Sequence, residues 1–495
     1  MIKNFIQQRD IMMISFQEII ALLPVLIIGV TVVCIMLCIS FFRNHFIISS
    51  VTFFSLKLSL LSLYFTKKYG AQIVTDLVVV DNFSIFFSVL ILFASLASSV
   101  LAYTWLDSYL GNREEFYLLI LISVMGGILL VCTNHLVMIF LSIELLAVPL
   151  YGLIGYNYAI YSSLSASVKY IILSTISSSF LLFGIALIYA YCSTLSIIDI
   201  NNNSASNVIS QELFLIGLGF MIASFGFKLS LFPFHSWTAD VYAGSSIPVN
   251  LFLSTVNKIA VFAMMLRIFP VMSSVCSSTK ISFILVIIAC FSMLFGNLIA
   301  IRQNNIKRIL GYSSIAHFGY ILIGLLSKQN NELSLETVGI SLVSYLLSSL
   351  GIFGILSLIS TFSKNRERSE LFLYRGLFWD HPFLSVVFTV MILSLAGIPI
   401  TLGFISKFYV IILGVHSELW WFIGSVLLSS VIGLVYYLRI IRTLYSFSSK
   451  RILCNIPWNW GITPLGMIIL ISFVLILFLG IYPQPLINLT QLLYK

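Results

Sequence analysis

The chain has 495 residues, 60% of them hydrophobic and only 9% charged, with a formal net charge of +9 and a mean hydropathy of +1.09. Soluble proteins carry about 25% charged residues to hydrate their surface, so the solvent of this chain is lipid. The positive balance does not indicate nucleic acid, because no run of Lys and Arg exceeds two residues and no basic stripe is interleaved with aromatics. The excess is read as loop charge facing anionic headgroups. The seven cysteines (Cys34, Cys38, Cys132, Cys192, Cys276, Cys290 and Cys454) form no CxxC, which offers no framework for zinc, iron–sulfur clusters or disulfides.

The stretch from Met1 to Arg9 is polar, and Met12 and Met13, just before ISFQEIIALLPVL, leave the translation start open among the three methionines. The first hydrophobic segment has no small-residue cleavage site and is followed by Arg43, so it reads as a retained span and not a signal peptide. A span takes about 20 apolar residues, and about fourteen candidates follow on that basis. They run near 18–41, 46–65, 83–103, 115–131, 136–156, 166–190, 213–232, 247–267, 281–301, 309–327, 336–361, 383–412, 419–438 and 464–484. Polar connections fall near 191–212, 362–382 and 442–462. The loops after odd-numbered spans hold Arg43, Arg113, Arg302, Lys307, Arg308, Lys364, Arg366, Arg368, Arg375, Arg439, Arg442, Lys450 and Arg451, against fewer cations on the other side. The positive-inside rule therefore places those loops, with Cys454, in the cytoplasm and both termini outside.

Two spans read as broken by proline: FKLSLFPFH with Pro233, and SLAGIPITLGFISKF with Pro399 between Gly397 and Gly403. A proline frees the carbonyl four residues earlier, here Leu229 and Leu395. A freed carbonyl is tolerated at membrane depth only in a wet or protein-buried cavity. Broken spans at corresponding places point to repeats around a midplane site. These lie five spans apart, so the units would be inverted. The expected fold is an all-α membrane protein of about fourteen helices with two inverted five-helix repeats, each holding a proline-broken helix. The divisions are an N-terminal tail and helices 1–3 (1–114), the first repeat (115–271), the second (281–445), and helix 14 with the C-terminus (446–495).

Six charges fall inside the expected spans: Lys57, Lys169, Lys228, Lys258, Lys407 and Glu144. Each costs at least about 2.5–3.5 kcal/mol at the bilayer centre, so such residues usually face the bundle interior and mark ion paths. Glu144 in FLSIELLAVPL is mid-span; its alternative is a packing carboxylate satisfied by hydroxyls. Lys228 stands one turn before Pro233, Lys258 follows Asn257, and Lys407 follows Gly403. Lys169 opens its span, where snorkelling competes with function, and Lys57 has no partner nearby in sequence, which favours packing or snorkelling. His235 in FPFHSW and His317 in GYSSIAHFGY are further relay candidates, each with a purely structural alternative. Proton relay wants these residue types. Desolvation pulls a lysine toward neutrality and a carboxylate pushes it back. At a separation of 4 Å and an effective dielectric of 20 the pair is worth about 4 kcal/mol. Sodium would want several oxygen ligands instead.

GFKLSLFPFHSWTADVY, QNNIKRILGYSSIAHFGY, LSLAGIPITLGFISKFYV and FLSIELLAVPL together resemble the signatures of the antiporter-like subunits of complex I, the proton-pumping NADH:quinone oxidoreductase, over nearly the whole chain. Within that family the N-type branch, counterpart of mitochondrial subunit 2, is the most similar. Lys407 stands where the M-type has glutamate, and the long C-terminal extension of the L-type is missing. FYLLILISVMGGILL and RGLFWDHP add to that similarity. The resemblance implies a place in the bacterial inner membrane, in the membrane arm between subunits M and K. It implies that Glu144, Lys228, Lys258 and Lys407 match essential proton-path residues and that Lys169 and His235 match secondary ones. It also implies no cofactor on this chain, with NADH, FMN, the iron–sulfur clusters and quinone held by other subunits. The family's WxPDxYxGAPxPV reads WTADVYAGSSIPV here; Ala239 and Ser246 replace prolines, which is expected to loosen that loop. Two other functions remain open at this point: a multisubunit cation/proton antiporter, which shares the signatures, and a non-pumping structural member.

Overall fold

All fourteen expected spans are helical in the computed structural model, which describes residues 16–109, 111–203, 211–275, 279–327, 331–361, 369–447 and 459–491. Met12, Met13, Lys364, Arg366, Arg368 and Cys454 lie outside the described residues. The chain begins with α1 (Phe16–Phe41) and α2 (His45–Tyr69). An antiparallel hairpin follows, β1 (Gln72–Thr75) with β2 (Val78–Val80). This hairpin is an addition to the expected all-helical plan. It seals the end of the bundle through a bridge between Val78 and Thr133.

The next helices are α3 (Asn82–Asp107), α4 (Glu114–Val131), α5 (Leu136–Ile154), α6 (Tyr161–Cys192) and the short α7 (Ile197–Asn203). Asp81 caps α3 with a reciprocal bond to Ser84, and its carboxylate also receives Arg267 at 2.6 and 2.8 Å. Then come α8 (Gln211–Leu229), α9 (Thr238–Gly244), α10 (Ile247–Phe252), a π-helical turn at Leu253–Asn257 and α11 (Lys258–Val275). The second half comprises α12 (Thr279–Ile301), α13 (Ile306–Ile321), α14 (Ile323–Leu326), α15 (Asn331–Thr361), α16 (Leu377–Asp380), α17 (Pro382–Ala396), α18 (Leu402–His416), α19 (Trp420–Tyr445), α20 (Pro464–Ile481) and α21 (Gln484–Gln491). Among the described residues, thirteen helices are long and apolar enough to cross a bilayer. The fourteenth is assembled from α17 and α18, each about half a membrane deep.

The segment from Ile247 to Leu266 is buried at every residue and forms the axis of the bundle. Around it α6 packs on α8, α12 on α13, and α15 on both α18 and α20. Small residues allow the closest approaches. A Cβ on Gly126 would lie 2.6 Å from the Leu146 backbone nitrogen, so α4 and α5 cross there in backbone contact. Connections of equal parity share a face. On one face Tyr109 and Tyr156 tie the α3–α4 and α5–α6 connections together, and Asn305 bridges Glu370. On the other, His135 bridges Ser196. This alternation is what fourteen crossings require.

The spans holding Pro233 and Pro399 are both broken. Helix α8 stops at Leu229, one turn ahead of Pro233. Ser230 takes a left-handed conformation (φ 61°), and its hydroxyl donates to the Leu229 carbonyl at 2.5 Å. The Phe227 carbonyl accepts from the Ser230 amide at 3.0 Å and from Trp237 Nε1 at 3.1 Å. The exposed helix end is thus satisfied inside the protein, as a low-dielectric setting demands. In the second break Gly397 closes α17 at φ 80°. A Cβ on Gly403 would sit 1.7 Å from the Ser394 carbonyl oxygen, so only glycine lets α18 start against α17.

The loop expected to be loosened by Ala239 and Ser246 is instead pinned by hydrogen bonds. Asn250 donates to the Tyr242 carbonyl at 2.8 Å and accepts from the Ser245 hydroxyl, while Lys307 donates to the Ser245 carbonyl at 3.0 Å. Side-chain bonds supply there the order that prolines would have supplied.

Candidate functional site

Three lysines with a histidine between two of them occupy the bundle interior. Lys228, in the last turn of α8, is 1% exposed. Its amine donates to Ser174 Oγ on α6 at 2.7 Å, and Tyr151 on α5 donates to the same hydroxyl at 2.9 Å. Glu144 lies on α5 within electrostatic reach of Lys228, Tyr151 and Tyr170. Its Oε1 is buried with no hydrogen-bond partner, as is the Tyr170 hydroxyl. No ion pair within 4.0 Å joins Glu144 to Lys228: Ser174 holds the amine and the carboxylate stands apart. Unpaired buried polar atoms of this kind are costly.

Lys258 is 0% exposed and opens α11 directly after the π-helical turn. Its amine donates to Ser230 Oγ at 2.7 Å and to Ser314 Oγ on α13 at 2.8 Å, and lies 4.9 Å from the Phe318 ring centre. The extra residue of a π turn rotates the side chains that follow it, and here it turns Lys258 toward the α8 break. Both polar atoms of Asn257 are buried without a partner. Ser230 therefore serves the break and the lysine together.

His317 on α13 lies within electrostatic reach of both Lys258 and Lys407, and its Nε2 is 3.3 Å from the Tyr437 hydroxyl on α19. Lys407 on α18 reaches back across the second break and donates to the Ala396 carbonyl at 2.6 Å, with its amine 5.5 Å from the centre of the Tyr320 ring. The sequence points to Leu395 as the freed carbonyl; the one the lysine takes is its neighbour, Ala396. A hydroxyl and amide cluster continues from there. Tyr320 shares a bond with Ser429 at 2.8 Å, and Asn297 accepts from Tyr436 at 2.9 Å.

The remaining sequence candidates stand apart from this line. His235 follows the first break, stacks on Phe232 at 5.5 Å and has a buried Nδ1 without a partner, yet no bond joins it to Lys228 or Lys258. Lys169 is ion-paired with Asp240 at 2.7 Å, and the other oxygen of that carboxylate receives Arg308 at 3.1 Å. The pair lines an open polar basin of about 1330 Å³ on the face of the odd-numbered connections. Lys57 points out of the bundle from the middle of α2.

Sequence reasoning missed Ser174, Ser230 and Ser314, which hold the amines, and Tyr437 and Asp240. Serine is common in these helices and usually bonds its own backbone, as Ser177 and Ser313 do, so no local signal separates the three. Asp240 could have been found: it is an acidic residue close to a broken span, and a charge there calls for a cationic partner.

A family model described as the NADH:quinone oxidoreductase/Mrp antiporter transmembrane region matches residues 133–433. Among solved structures, a chain of respiratory complex I from Thermus thermophilus with bound aureothin is 29% identical, with a TM-score of 0.79, covering 94% of this chain and 98% of its own. A chain of the membrane-bound sulfane sulfur reductase, an archaeal respiratory membrane complex, is 23% identical with a TM-score of 0.83, covering 96% of each. A chain of the Mrp complex from Dietzia sp. DQ12-45-1b is 20% identical with a TM-score of 0.81, covering 97% of each. The last two likenesses speak to the fold alone.

Proposed function

Because the chain belongs to the NADH:quinone oxidoreductase/Mrp antiporter transmembrane family, we propose that it is a proton-translocating membrane-arm subunit of an NADH:quinone oxidoreductase. Protons move through a Glu/Lys/His relay near the membrane midplane, driven by NADH oxidation and quinone reduction in other subunits. The observation that carries this reading is the interior series of the buried Lys228 and Lys258 and the half-buried His317 and Lys407, with the amines served by Ser174, Ser230, Ser314 and a backbone carbonyl. Neutral oxygens can accept from an ammonium and can equally solvate an amine, so each site tolerates both protonation states. Glu144 is the carboxylate that acts on the first lysine, and His317 lies in the field of the last two. Lys169 and His235 serve at the approaches. A sodium path would want a shell of oxygen ligands, and a row of amines repels a metal cation, so the carried ion is the proton; the identity of the neighbouring subunits separates the oxidoreductase reading from an Mrp-type exchanger, which shares the signatures.

In this reading residues 115–271 and 281–445 are inverted repeats built on the two breaks, flanked by 1–114 and 446–495. The membrane is the bacterial inner membrane, with both termini periplasmic and the basin of Lys169 and Asp240 open to the cytoplasm. Subunits M and K are the neighbours in the arm. NADH, FMN, iron–sulfur clusters and quinone are bound elsewhere in the complex.

Lys258→Met tests the relay, since methionine fills the same space without a proton. In inverted membrane vesicles the assembled variant should lose NADH-driven proton pumping while still reducing artificial acceptors. Normal pumping by the assembled variant would remove Lys258 from the path.

A further inference from the structure

Of the six in-span charges named from the sequence, Lys57 is the one that neither the relay nor the basin uses. It is the thirteenth residue of the 25-residue α2, which puts about 18 Å of helix on either side of it at 1.5 Å per residue. The hydrocarbon half-thickness is about 15 Å. A lysine side chain extends about 6 Å from its Cα, so snorkelling leaves the ammonium well inside the hydrocarbon layer. Anionic headgroups are out of reach for the same reason.

The two faces of α2 divide cleanly. Ser49, Thr52, Ser55, Ser59, Ser62 and Thr66 are buried, and each bonds a carbonyl one turn back on its own helix. That small, self-satisfied face packs on α1 and α3. The opposite face is exposed and apolar: Phe54 (68%), Leu61 (61%), Tyr64 (74%) and Phe65 (56%) flank the exposed Lys57. No hydrogen bond, ion pair or ring contact engages Lys57 among the described residues. An unpartnered ammonium at this depth, on a face otherwise suited to lipid or protein, is among the least favourable placements a membrane helix offers.

We propose that this face of α2 is a subunit interface, and that Lys57 forms an ion pair with an aspartate or glutamate at mid-depth on a transmembrane helix of a neighbouring subunit. Charge complementarity selects the occupant. A lipid tail or an apolar helix leaves the ammonium bare, whereas a carboxylate at the same depth neutralises both charges in a setting where each alone is expensive. The exposed aromatics on either side supply the apolar contact around the pair. The chains similar to this one come from multi-subunit membrane complexes, so helices of other subunits are available to cover it.

The test uses the intact membrane complex. A photo-crosslinking amino acid at position 54 or 61 should capture a transmembrane peptide of another subunit carrying Asp or Glu within one turn of the crosslink. Lys57→Met, which leaves that carboxylate unpaired, should weaken retention of the captured subunit through purification by at least about tenfold. Lys57→Arg should retain it, and Lys57→Glu should be rescued by changing the captured acid to lysine. Crosslinks to lipid alone, or to a span without an acidic residue, would overturn the proposal. So would Lys57→Met complexes that keep every subunit at the wild-type level.

Discussion

Replacing Gly397 with alanine perturbs the second break without removing any titratable group from the chain. Gly397 has φ +80°, and an added Cβ would lie 2.6 Å from Lys407 Cδ and 3.0 Å from its Nζ. The left-handed backbone costs about 1–2 kcal/mol for a residue with a side chain. Lys407 must then swing away and give up its 2.6 Å bond to the Ala396 carbonyl, worth about 1.5–3 kcal/mol for a charged donor. The sum is about 2.5–5 kcal/mol. If the hydrogen-bond share falls on the relay step, pumping slows about 10- to 150-fold, and the backbone share appears as a lowered melting temperature. The assay pairs proton pumping in inverted vesicles with thermal unfolding of the purified complex. Gly424→Ala is the control, because a Cβ there meets nothing within 4 Å. Pumping within twofold of wild type and an unchanged melting temperature for Gly397→Ala would refute the claim that Lys407 depends on this turn.

Two further expectations concern charge. Lys407→Arg keeps the positive charge but cannot release its proton, so it should impair pumping; a normal rate would make Lys407 a fixed electrostatic element. His135 caps α5 with its ring Nδ1 accepting from the Val137 amide at 3.3 Å, which requires the neutral ring. Burial, partly opposed by Asp76, lowers its pKa from the ordinary 6.5. A lowered folded-state pKa means that the unfolded chain takes the proton first. The cap's contribution is therefore intact above about pH 6.5 and lost as pH falls through the lowered value. His135→Asn caps without titrating, so melting curves from pH 8 to pH 5 should fall less steeply for the variant than for wild type; parallel curves would exclude the ring as the titrating group.

The number of spans and both breaks were legible because they follow from hydrophobic length and from proline, which act locally. The expected span at 383–412 corresponds to α17 and α18, and 213–232 ends within three residues of Leu229. The buried amines were legible because a lysine in an apolar run has one physical reading among few. Their partners were not, because Ser174, Ser230 and Ser314 come from three different segments and look like any helical serine. The π turn before Lys258 and the β1–β2 hairpin also left no trace, since the first is set by tertiary packing and the second spans only a few residues. The ion pair of Lys169 with Asp240 depends on α9 folding back over α6, which no spacing reveals.

Glu144→Gln tests the account at its centre. The carboxylate stands beyond ion-pair distance of Lys228 with one oxygen buried and unpartnered, and under the proposed relay its charge reloads that lysine. Glutamine keeps the size and most of the hydrogen bonding and removes the charge. The measurement is proton pumping together with quinone reductase rate in inverted membrane vesicles, with assembly checked independently by subunit content and NADH-driven reduction of an artificial acceptor. The account predicts a complete complex that reduces the artificial acceptor normally and has lost most of its pumping and coupled quinone reduction; near-normal pumping by a fully assembled Glu144→Gln complex would contradict it.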